Sequence, residues 1–202
     1  MENYNIDTSL SALRRQLSVI DSRIEELRLI RSRVQHRCGQ MESAAARSAG
    51  ENAPGVEEAD EQYILFAPVD EPYGPREQSI ATKQCFAEAF AENLPIFFEC
   101  GVTVPLARIR SGRFTEASAA FLPIERTERA GNVKKLPAGK CAAIYHVGDY
   151  ASIGRSYQKL LHWCGENGLE IVSDSYEFCI NDYLTSHDEQ EYITKILFYV
   201  KG

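Results

Sequence analysis

A single carboxylate in the second half of the chain has only apolar and aromatic neighbours. Glu177 lies in the run Tyr176-Glu177-Phe178-Cys179-Ile180. A carboxylate buried there without a partner is strongly disfavoured, so it must be paired or protonated. A bound cation could be that partner, and aromatic faces around the cation would each add ~0.5–2 kcal/mol of attraction. Alternation along a strand leaves a second interpretation open, in which Tyr176 and Phe178 point inward and Glu177 faces solvent.

Four further aromatic residues are candidates to line a site for such a cation. Tyr63 and Phe66 lie on the first predicted strand of the folded region, where core packing and ligand contact are equally consistent with their type. Trp163 shares a helical stripe with Tyr157, which is more typical of core packing but keeps it a candidate. Tyr199 lies near the end of the last predicted strand and is a candidate lining residue.

The cysteines and histidines show no metal-binding pattern. The six cysteines contain no CxxC pair, and no histidine lies at metal-ligand spacing from any of them. The sequence therefore predicts buried, reduced thiols, no metal site and no cofactor. It also lacks GxSxG, a glycine-rich phosphate loop, HExxH and an Asp-rich cluster. These absences favour a binding protein over an enzyme.

Composition and charge limit the class of protein further. The chain has 202 residues, of which 44% are hydrophobic, enough to bury a core. No apolar run approaches the ~20 residues that a membrane span needs, and the first thirty residues lack a secretory signal, so we expect a cytoplasmic location. Residues 79–202 hold thirteen basic and fifteen acidic groups, which is not the charge balance of a nucleic-acid-binding surface.

The elements that position these residues begin with a long helix, predicted from about Ser9 to Arg37. Two apolar rows repeat every seven residues, as in a coiled coil. The rows are Leu10, Leu17 and Ile24, and Leu13, Ile20, Leu27 and Val34. One helix cannot bury both rows by itself, so it either docks on its own domain or pairs with a second copy. We expect pairing, and hence a homodimer.

The rest of the chain divides into a linker and a folded region. Residues 39–60 are rich in Ala, Gly and acidic residues, a composition typical of flexible segments. We therefore predict three parts: a dimerisation coiled-coil helix at 1–38, a flexible acidic linker at 39–60 and a folded domain at 61–202.

The folded region shows one order of elements twice, which predicts an α+β fold. The first copy comprises strand Tyr63–Ala67, helix Ser79–Glu92 and strands Val104–Arg110 and Ala119–Arg126. The second comprises strand Gly139–Val147, helix Ala151–Asn167 and strands Glu170–Asn181 and Tyr192–Val200. Asp149 and Gly168 are suited to cap the second helix. Two β-α-β-β halves should pair about a pseudo-twofold axis, with a ligand cleft between their two sheets.

Several runs of the second half resemble the GyrI-like effector-binding domain. They are Leu136-Pro137-Ala138-Gly139-Lys140, Tyr145-His146-Val147-Gly148-Asp149-Tyr150, the stretch from Leu160 to Leu169 and the stretch from Tyr176 to Asp182. That family forms the C-terminal part of BmrR-like multidrug sensors of the MerR class. The N-terminal heptads are similar to the dimerisation helix of the same class.

The resemblance implies a sensing domain of a MerR-class transcriptional regulator that binds hydrophobic, cationic small molecules. It implies that Glu177 reads the ligand's charge and that Tyr145 and Tyr150 face the cleft. DNA binding would belong to a winged helix-turn-helix that this chain lacks. Some GyrI-like relatives are hydrolases, so a hydrolase or a stand-alone drug-binding protein is the alternative. A protein-binding module of the gyrase-inhibitor type is a third interpretation.

Overall fold

The computed structural model describes residues 6–48, 52–97, 99–125, 127, 131–182 and 185–202. The α-helices of these residues are α1 (Ile6–Ser48), α2 (Pro75–Ala91), α3 (Leu106–Arg110) and α4 (Gly154–Glu166). The strands are β1 (Gly55–Ala59), β2 (Gln62–Pro68), β3 (Gly101–Val104), β4 (Ala119–Ile124), β5 (Val133–Leu136), β6 (Gly139–Val147), β7 (Glu170–Ile171), β8 (Ser175–Asn181) and β9 (Ile193–Lys201). The chain divides into two compact units between Gly39 and Gln40, so α1 contributes to both.

Helix α1 confirms the helix predicted from the heptad pattern and continues past Arg37 to Ser48. Its apolar rows stay largely exposed, with Leu13 at 62% and Leu27 at 59% exposure. An apolar stripe of this length needs a cover in water. Homodimerisation through residues 1–38 stays a prediction about that cover. No helix in the described residues is long and apolar enough to cross a membrane.

Regular structure occupies much of the region predicted as a flexible linker, residues 39–60, so that prediction is wrong there. Helix α1 covers its first part, where Ala44 is fully buried. Strand β1 covers its last part and pairs antiparallel with β6. The composition was misleading for two reasons. Alanine has the highest helix propensity, and the acidic residue Glu57 of β1 forms an ion pair with Lys195.

One antiparallel sheet joins the two predicted halves of the folded region. Its strand order is β1-β6-β9-β8-β3-β4-β2-β5, and β7 pairs with β9 outside this path. The first half, β2-α2-β3-β4, meets the second half, β6-α4-β8-β9, where β3 pairs with β8. Strands β4 and β9 flank this central pair, and β2 and β6 lie beyond them. The order is therefore symmetric about the β3–β8 pair, as the repeat predicts, but the sheet is continuous rather than split in two.

The strand predicted over Val104–Arg110 is wrong. Strand β3 ends at Val104, and α3 begins at Leu106. Pro105 separates them because proline has no N–H to donate to a neighbouring strand. The N–H of Leu106 is instead taken up by Asp174, whose Oδ1 accepts it at 3.0 Å. Strands β1 and β5 were not predicted, and the predicted strand Glu170–Asn181 divides into β7 and β8.

The predicted caps of the second helix are confirmed in part. Asp149 accepts the N–H of Ala151 and so caps a short 3-10 turn, Tyr150–Ser152, that precedes α4. Gly168 follows the end of α4 with a φ of 64°, a left-handed conformation in which glycine is unstrained.

Alternation along the strands gives the sheet two different faces. Helices α2 and α4 cover one face, here called the helical face, whose core includes Leu65, Leu122, Ile144 and Phe198. The opposite face holds a second core that is rich in aromatic rings. Its largest members are Phe121, Tyr145, Tyr176 and Phe178, and Ala44 of α1 packs among them.

Candidate ligand-binding site

Strand β8 places Glu177 at the centre of the sheet, on the helical face. Its cross-strand neighbours are Val102 of β3 and Ile196 of β9. The same row continues outward to Ala120 on one side and Ile144 on the other. Glu177 is the only charged member of this row of five side chains and is 1% exposed. The interpretation in which Glu177 faces solvent is therefore wrong.

Tyr157, from α4, brings its hydroxyl into contact with the carboxylate of Glu177. Its hydroxyl lies 2.5 Å from Oε1 of Glu177 and 2.7 Å from Oγ of Ser175. Because the hydroxyl has one proton, it donates to the carboxylate and accepts from Ser175. Phe114 stacks on the Tyr157 ring at 5.7 Å, and Phe198 meets it edge-on at 6.1 Å. Burial among these rings keeps water away from the Tyr157–Glu177 contact.

Two polar atoms at this point lack a hydrogen-bond partner. Oε2 of Glu177 and the hydroxyl of Tyr150 are both buried and make no hydrogen bond within the described part of the chain. The Tyr150 hydroxyl lies near enough to the carboxylate to lower its pKa, but the two groups do not reach normal hydrogen-bond geometry. A buried polar group without a partner costs ~1–3 kcal/mol. The site therefore offers one carboxylate oxygen and one hydroxyl to a bound molecule.

Burial sets the protonation states of the site. It raises the pKa of Glu177 from 4.5 to about 7, although the hydroxyls of Tyr157 and Tyr150 oppose the rise. The pKa values of both tyrosines lie well above 10, first because of burial and then because of the nearby Glu177 charge. Both tyrosines stay neutral, whereas Glu177 exchanges its proton near neutral pH.

His146 fixes the turn that carries Tyr150. Its Nε2 lies 3.0 Å from the carbonyl oxygen of Asp149, so Nε2 carries the proton and donates it. Nδ1 then accepts from Oγ of Ser156 at 3.0 Å. Burial lowers the pKa of His146, which favours the neutral form that this pattern needs. The imidazole therefore ties the turn before α4 to α4 itself.

Gly154 allows Phe114 to approach the start of α4. A Cβ atom at this position would lie 2.6 Å from Cδ2 of Phe114, too close for any side chain. The ring that stacks on Tyr157 therefore depends on a glycine here.

Three predicted site residues lie on the face of the sheet opposite to Glu177. Tyr145 is buried in the core of that face, and Phe66 and Tyr199 are partly buried against it. The prediction that they share one pocket with Glu177 is therefore wrong. Side chains along one strand point alternately to the two faces of the sheet. In the observed strand register, these three side chains point to the face opposite to Glu177.

Tyr63 and Trp163 lie on the helical face but at a distance from Glu177. Strand β2, which carries Tyr63, is the third strand from β8, roughly 14 Å away at ~4.8 Å per strand. Trp163 follows Tyr157 by six residues on α4, which is about 9 Å along the helix. Both pack against the helical-face core. Of the predicted site residues, the structure brings only Glu177 and Tyr150 together.

Sequence reasoning missed Tyr157, Ser175 and Phe114 as members of the site. The position of Tyr157 on the buried stripe of α4 was visible, but a core role explained it equally well. Ser175 lies two residues before Glu177 on β8, so strand alternation could have placed it on the same face. Phe114 lies in a connection without any periodic pattern, and nothing in the sequence points to it.

Comparisons with known families agree with this architecture. Residues 111–201 match the family model of the GyrI-like small molecule binding domain. The matched part of the chain contains Phe114, Tyr150, Tyr157 and Glu177. Among curated proteins, none has a significant sequence match to the chain.

Solved structures of the same architecture include a regulator and a hydrolase. EcmrR, a MerR-family regulator seen in complex with DNA, superposes with a TM-score of 0.60 and 16% identity, covering 94% of this chain and 71% of EcmrR. The C-terminal domain of EcmrR superposes with a TM-score of 0.58 and 18% sequence identity, covering 75% of this chain and 99% of that domain. A hydrolase of Listeria innocua superposes with a TM-score of 0.51 and 12% sequence identity, covering 79% of this chain and 97% of the hydrolase. At these identities the likeness concerns the fold alone.

Proposed function

We propose that this protein is the small-molecule sensing part of a MerR-class transcriptional regulator and that its ligands are lipophilic organic cations. The observation that carries the proposal is Glu177, a carboxylate 1% exposed in an apolar row, whose Oε2 has no hydrogen-bond partner in the described residues. DNA binding would belong to a separate domain.

A monovalent cation is the ligand charge that this site compensates best. An ionised carboxylate in an apolar site is destabilised unless a positive charge accompanies it. Tyr157 already occupies Oε1, so the cation would approach Oε2 and the Tyr150 hydroxyl. A neutral ligand could use the same hydrogen-bonding atoms, but it would gain nothing from the charge.

The aromatic side chains around the carboxylate favour a lipophilic body on the ligand. Phe114, which is partly buried and stacks on the fully buried ring of Tyr157, offers aromatic surface on which an apolar cation can pack. Phe114 and Tyr150 are only partly buried, so part of each side chain is accessible to a molecule from solvent. Rings of this kind constrain ligand shape loosely, which suits a sensor of many compounds.

The regulatory role is supported by the long helix in addition to the fold. Helix α1 extends over 43 residues and leaves its apolar rows exposed. The likeness to the DNA-bound EcmrR covers 94% of this chain. A helix that pairs two copies would give the two-fold symmetry with which dimeric regulators match two DNA half-sites.

The test compares a cation with a neutral molecule of similar bulk. Tetraphenylphosphonium and triphenylphosphine oxide are titrated by calorimetry into wild type, Glu177→Gln and the surface control Glu170→Gln. Glu177→Gln keeps the shape and removes the charge, and a charge-assisted contact is worth about 1.5–3 kcal/mol. The cation should therefore bind roughly 10- to 150-fold more weakly to this variant.

The controls separate charge recognition from general damage. Triphenylphosphine oxide should lose much less affinity in Glu177→Gln, and Glu170→Gln should bind both compounds as wild type does. Equal losses for the cation and the neutral compound would make Glu177 a packing residue, and the charge-reading role would have to be abandoned.

A hydrolase is the second candidate, because a carboxylic acid with a pKa of about 7 beside two tyrosine hydroxyls can act as a general acid or base. Product analysis after incubation with a binding ligand distinguishes the two functions. Recovery of the unchanged ligand supports the sensor, whereas product in excess of protein supports the enzyme.

A further inference from the structure

A second group of polar side chains gathers at the end of the central strand pair. Cys100 immediately precedes β3, Cys179 lies in β8 and Asp182 follows β8. The two sulfur atoms and a carboxylate oxygen all lie within 4.8 Å of one another. The N–H of Cys179 donates to the carbonyl oxygen of Cys100 at 2.9 Å, so the backbone holds the two cysteines side by side. The three residues are here called the thiol cluster.

We propose that the thiol cluster binds a Zn²⁺ ion through the sulfur atoms of Cys100 and Cys179 and a carboxylate oxygen of Asp182. On binding, each thiol releases its proton to solvent and each sulfur forms one bond to the metal. A water molecule or an external ligand fills the fourth position. This inference is independent of the cation site.

The spacing of the three donors suits one metal ion. Zinc binds sulfur at about 2.3 Å and oxygen at about 2.0–2.2 Å, so its tetrahedral ligands lie roughly 3.3–3.8 Å apart. Donors already within 4.8 Å need only small side-chain rotations to reach this distance. Throughout the described ranges, no other three histidine, cysteine or acidic side chains come this close.

The donor types favour zinc over the other common metal ions. Two soft thiolates select against Mg²⁺ and Ca²⁺, which prefer oxygen ligands. Three protein ligands with an open fourth position are typical of zinc sites that exchange a bound molecule. A disulfide between Cys100 and Cys179 is the competing chemistry, and it would leave Asp182 without a role in the cluster.

Zinc binding would not change the net charge of the thiol cluster, so the ionisation of the neighbouring Glu177 should change little. Two neutral thiols and one carboxylate have a net charge of −1, and two thiolates, one carboxylate and Zn²⁺ also have a net charge of −1. Glu177 is two residues from Cys179, but replacing two protons by one ion does not change the net charge that it faces. Zinc and an organic cation can therefore occupy the domain together.

The consequence for the fold concerns the junction of the two halves. Zinc would connect the residue before β3 to β8 and to the residue after it, across the strand pair that joins the repeats. A ligand that binds only the folded state raises its stability by mass action. The melting temperature should therefore rise with zinc concentration.

The experiment uses the full chain, reduced with a phosphine so that no added thiol competes for metal. Cd²⁺ serves as the probe because thiolate-to-cadmium charge transfer absorbs in the ultraviolet, and Zn²⁺ is then added in competition. We expect one Cd²⁺ per chain and displacement by Zn²⁺. Loss of an outer-shell partner alone costs 10- to 100-fold in metal affinity, so Cys100→Ser and Cys179→Ser should each weaken binding at least about 100-fold.

Controls distinguish this site from adventitious binding and from misfolding. Cys38→Ser removes an exposed cysteine of α1 and should leave the titration unchanged, whereas Asp182→Asn should weaken binding. Circular dichroism and the metal-free melting temperatures of Cys100→Ser and Cys179→Ser report whether the domain still folds in these variants. Two results would overturn the proposal: cadmium binding that survives both cluster substitutions, or a Cys100–Cys179 disulfide that forms on air exposure despite bound zinc.

Discussion

Replacing Glu177 by Gln should stabilise the unliganded protein at alkaline pH, although it removes a residue of the proposed site. The side chain is 1% exposed, and burial raises its pKa from 4.5 to about 7. Glutamine has the same shape and does not ionise. Its Oε1 can still accept from Tyr157, and its amide can donate to the hydroxyl oxygen of Tyr150. No buried atom loses a partner in the exchange.

The pKa difference gives the sign and the size of the effect. The folded state holds the Glu177 proton more tightly than the unfolded state, so its contribution to stability is complete below about pH 4.5 and is lost as the pH rises through about 7. The two pKa values differ by an amount equivalent to about 3 kcal/mol. Most of this stabilisation, about 2–3 kcal/mol, is lost between about pH 5 and about pH 8.5.

Urea unfolding at these two pH values measures the effect. The fluorescence of Trp163, the sole tryptophan, reports on α4, which carries Tyr157. A chelator keeps the thiol cluster free of metal. The stability of Glu177→Gln relative to wild type should increase by about 2–3 kcal/mol from the lower to the higher pH. The exposed control Glu170→Gln should follow wild type within about 0.5 kcal/mol.

Two outcomes would refute this reasoning. If Glu177→Gln and wild type have the same pH dependence, burial does not destabilise the ionised carboxylate. If Glu177→Gln is the less stable protein at about pH 8.5, the carboxylate has a stabilising partner that the structure does not show.

The remaining predictions concern binding and assembly. Tyr157→Phe removes the donor to Glu177 and should weaken the binding of tetraphenylphosphonium by at least about tenfold in calorimetry. Tyr73→Phe, which removes a hydroxyl that donates to Glu71, should not weaken it. If the two substitutions weaken cation binding equally, Tyr157 has no specific role in binding. Wild-type affinity for the cation should rise about tenfold between about pH 6 and about pH 8 as Glu177 ionises, and Glu177→Gln should show no such rise. Ile20→Asp combined with Leu27→Asp buries charge in the predicted seam and should give monomers in sedimentation equilibrium. An unchanged dimer would mean that α1 does not hold it.

The charge of the site was predictable from the sequence, but most of its neighbours were not. Glu177 stands out because a carboxylate interrupts an apolar strand. The aromatic residues beside it, Tyr176 and Phe178, point to the other face of the sheet, as strand geometry requires. Its actual partners come from α4 and from the connection before β4, and their positions depend on how the helix packs on the sheet. Local sequence does not contain that information.

The fold was predictable where a pattern repeated and was not where one residue decided the outcome. The β-α-β-β repeat identified both halves and their pairing. Pro105 ended a strand that composition alone would have continued, because apolar residues lie on both sides of it. The thiol cluster was also out of reach, since Cys100 and Cys179 lie far apart in the chain and meet only through the β3–β8 register.

The same symmetry that builds the domain indicates a single cation site. The helical-face row that crosses the β3–β8 pair sets Glu177 of one half directly opposite Val102 of the other, and beyond Val102 lies Ala120. The first half therefore repeats the backbone of the site without its charge. Because a cation needs the carboxylate as its partner in this apolar row, we expect only the second half to bind the proposed ligand. Calorimetry should give one tetraphenylphosphonium per chain, and a stoichiometry of two would place a second, charge-independent site in the first half.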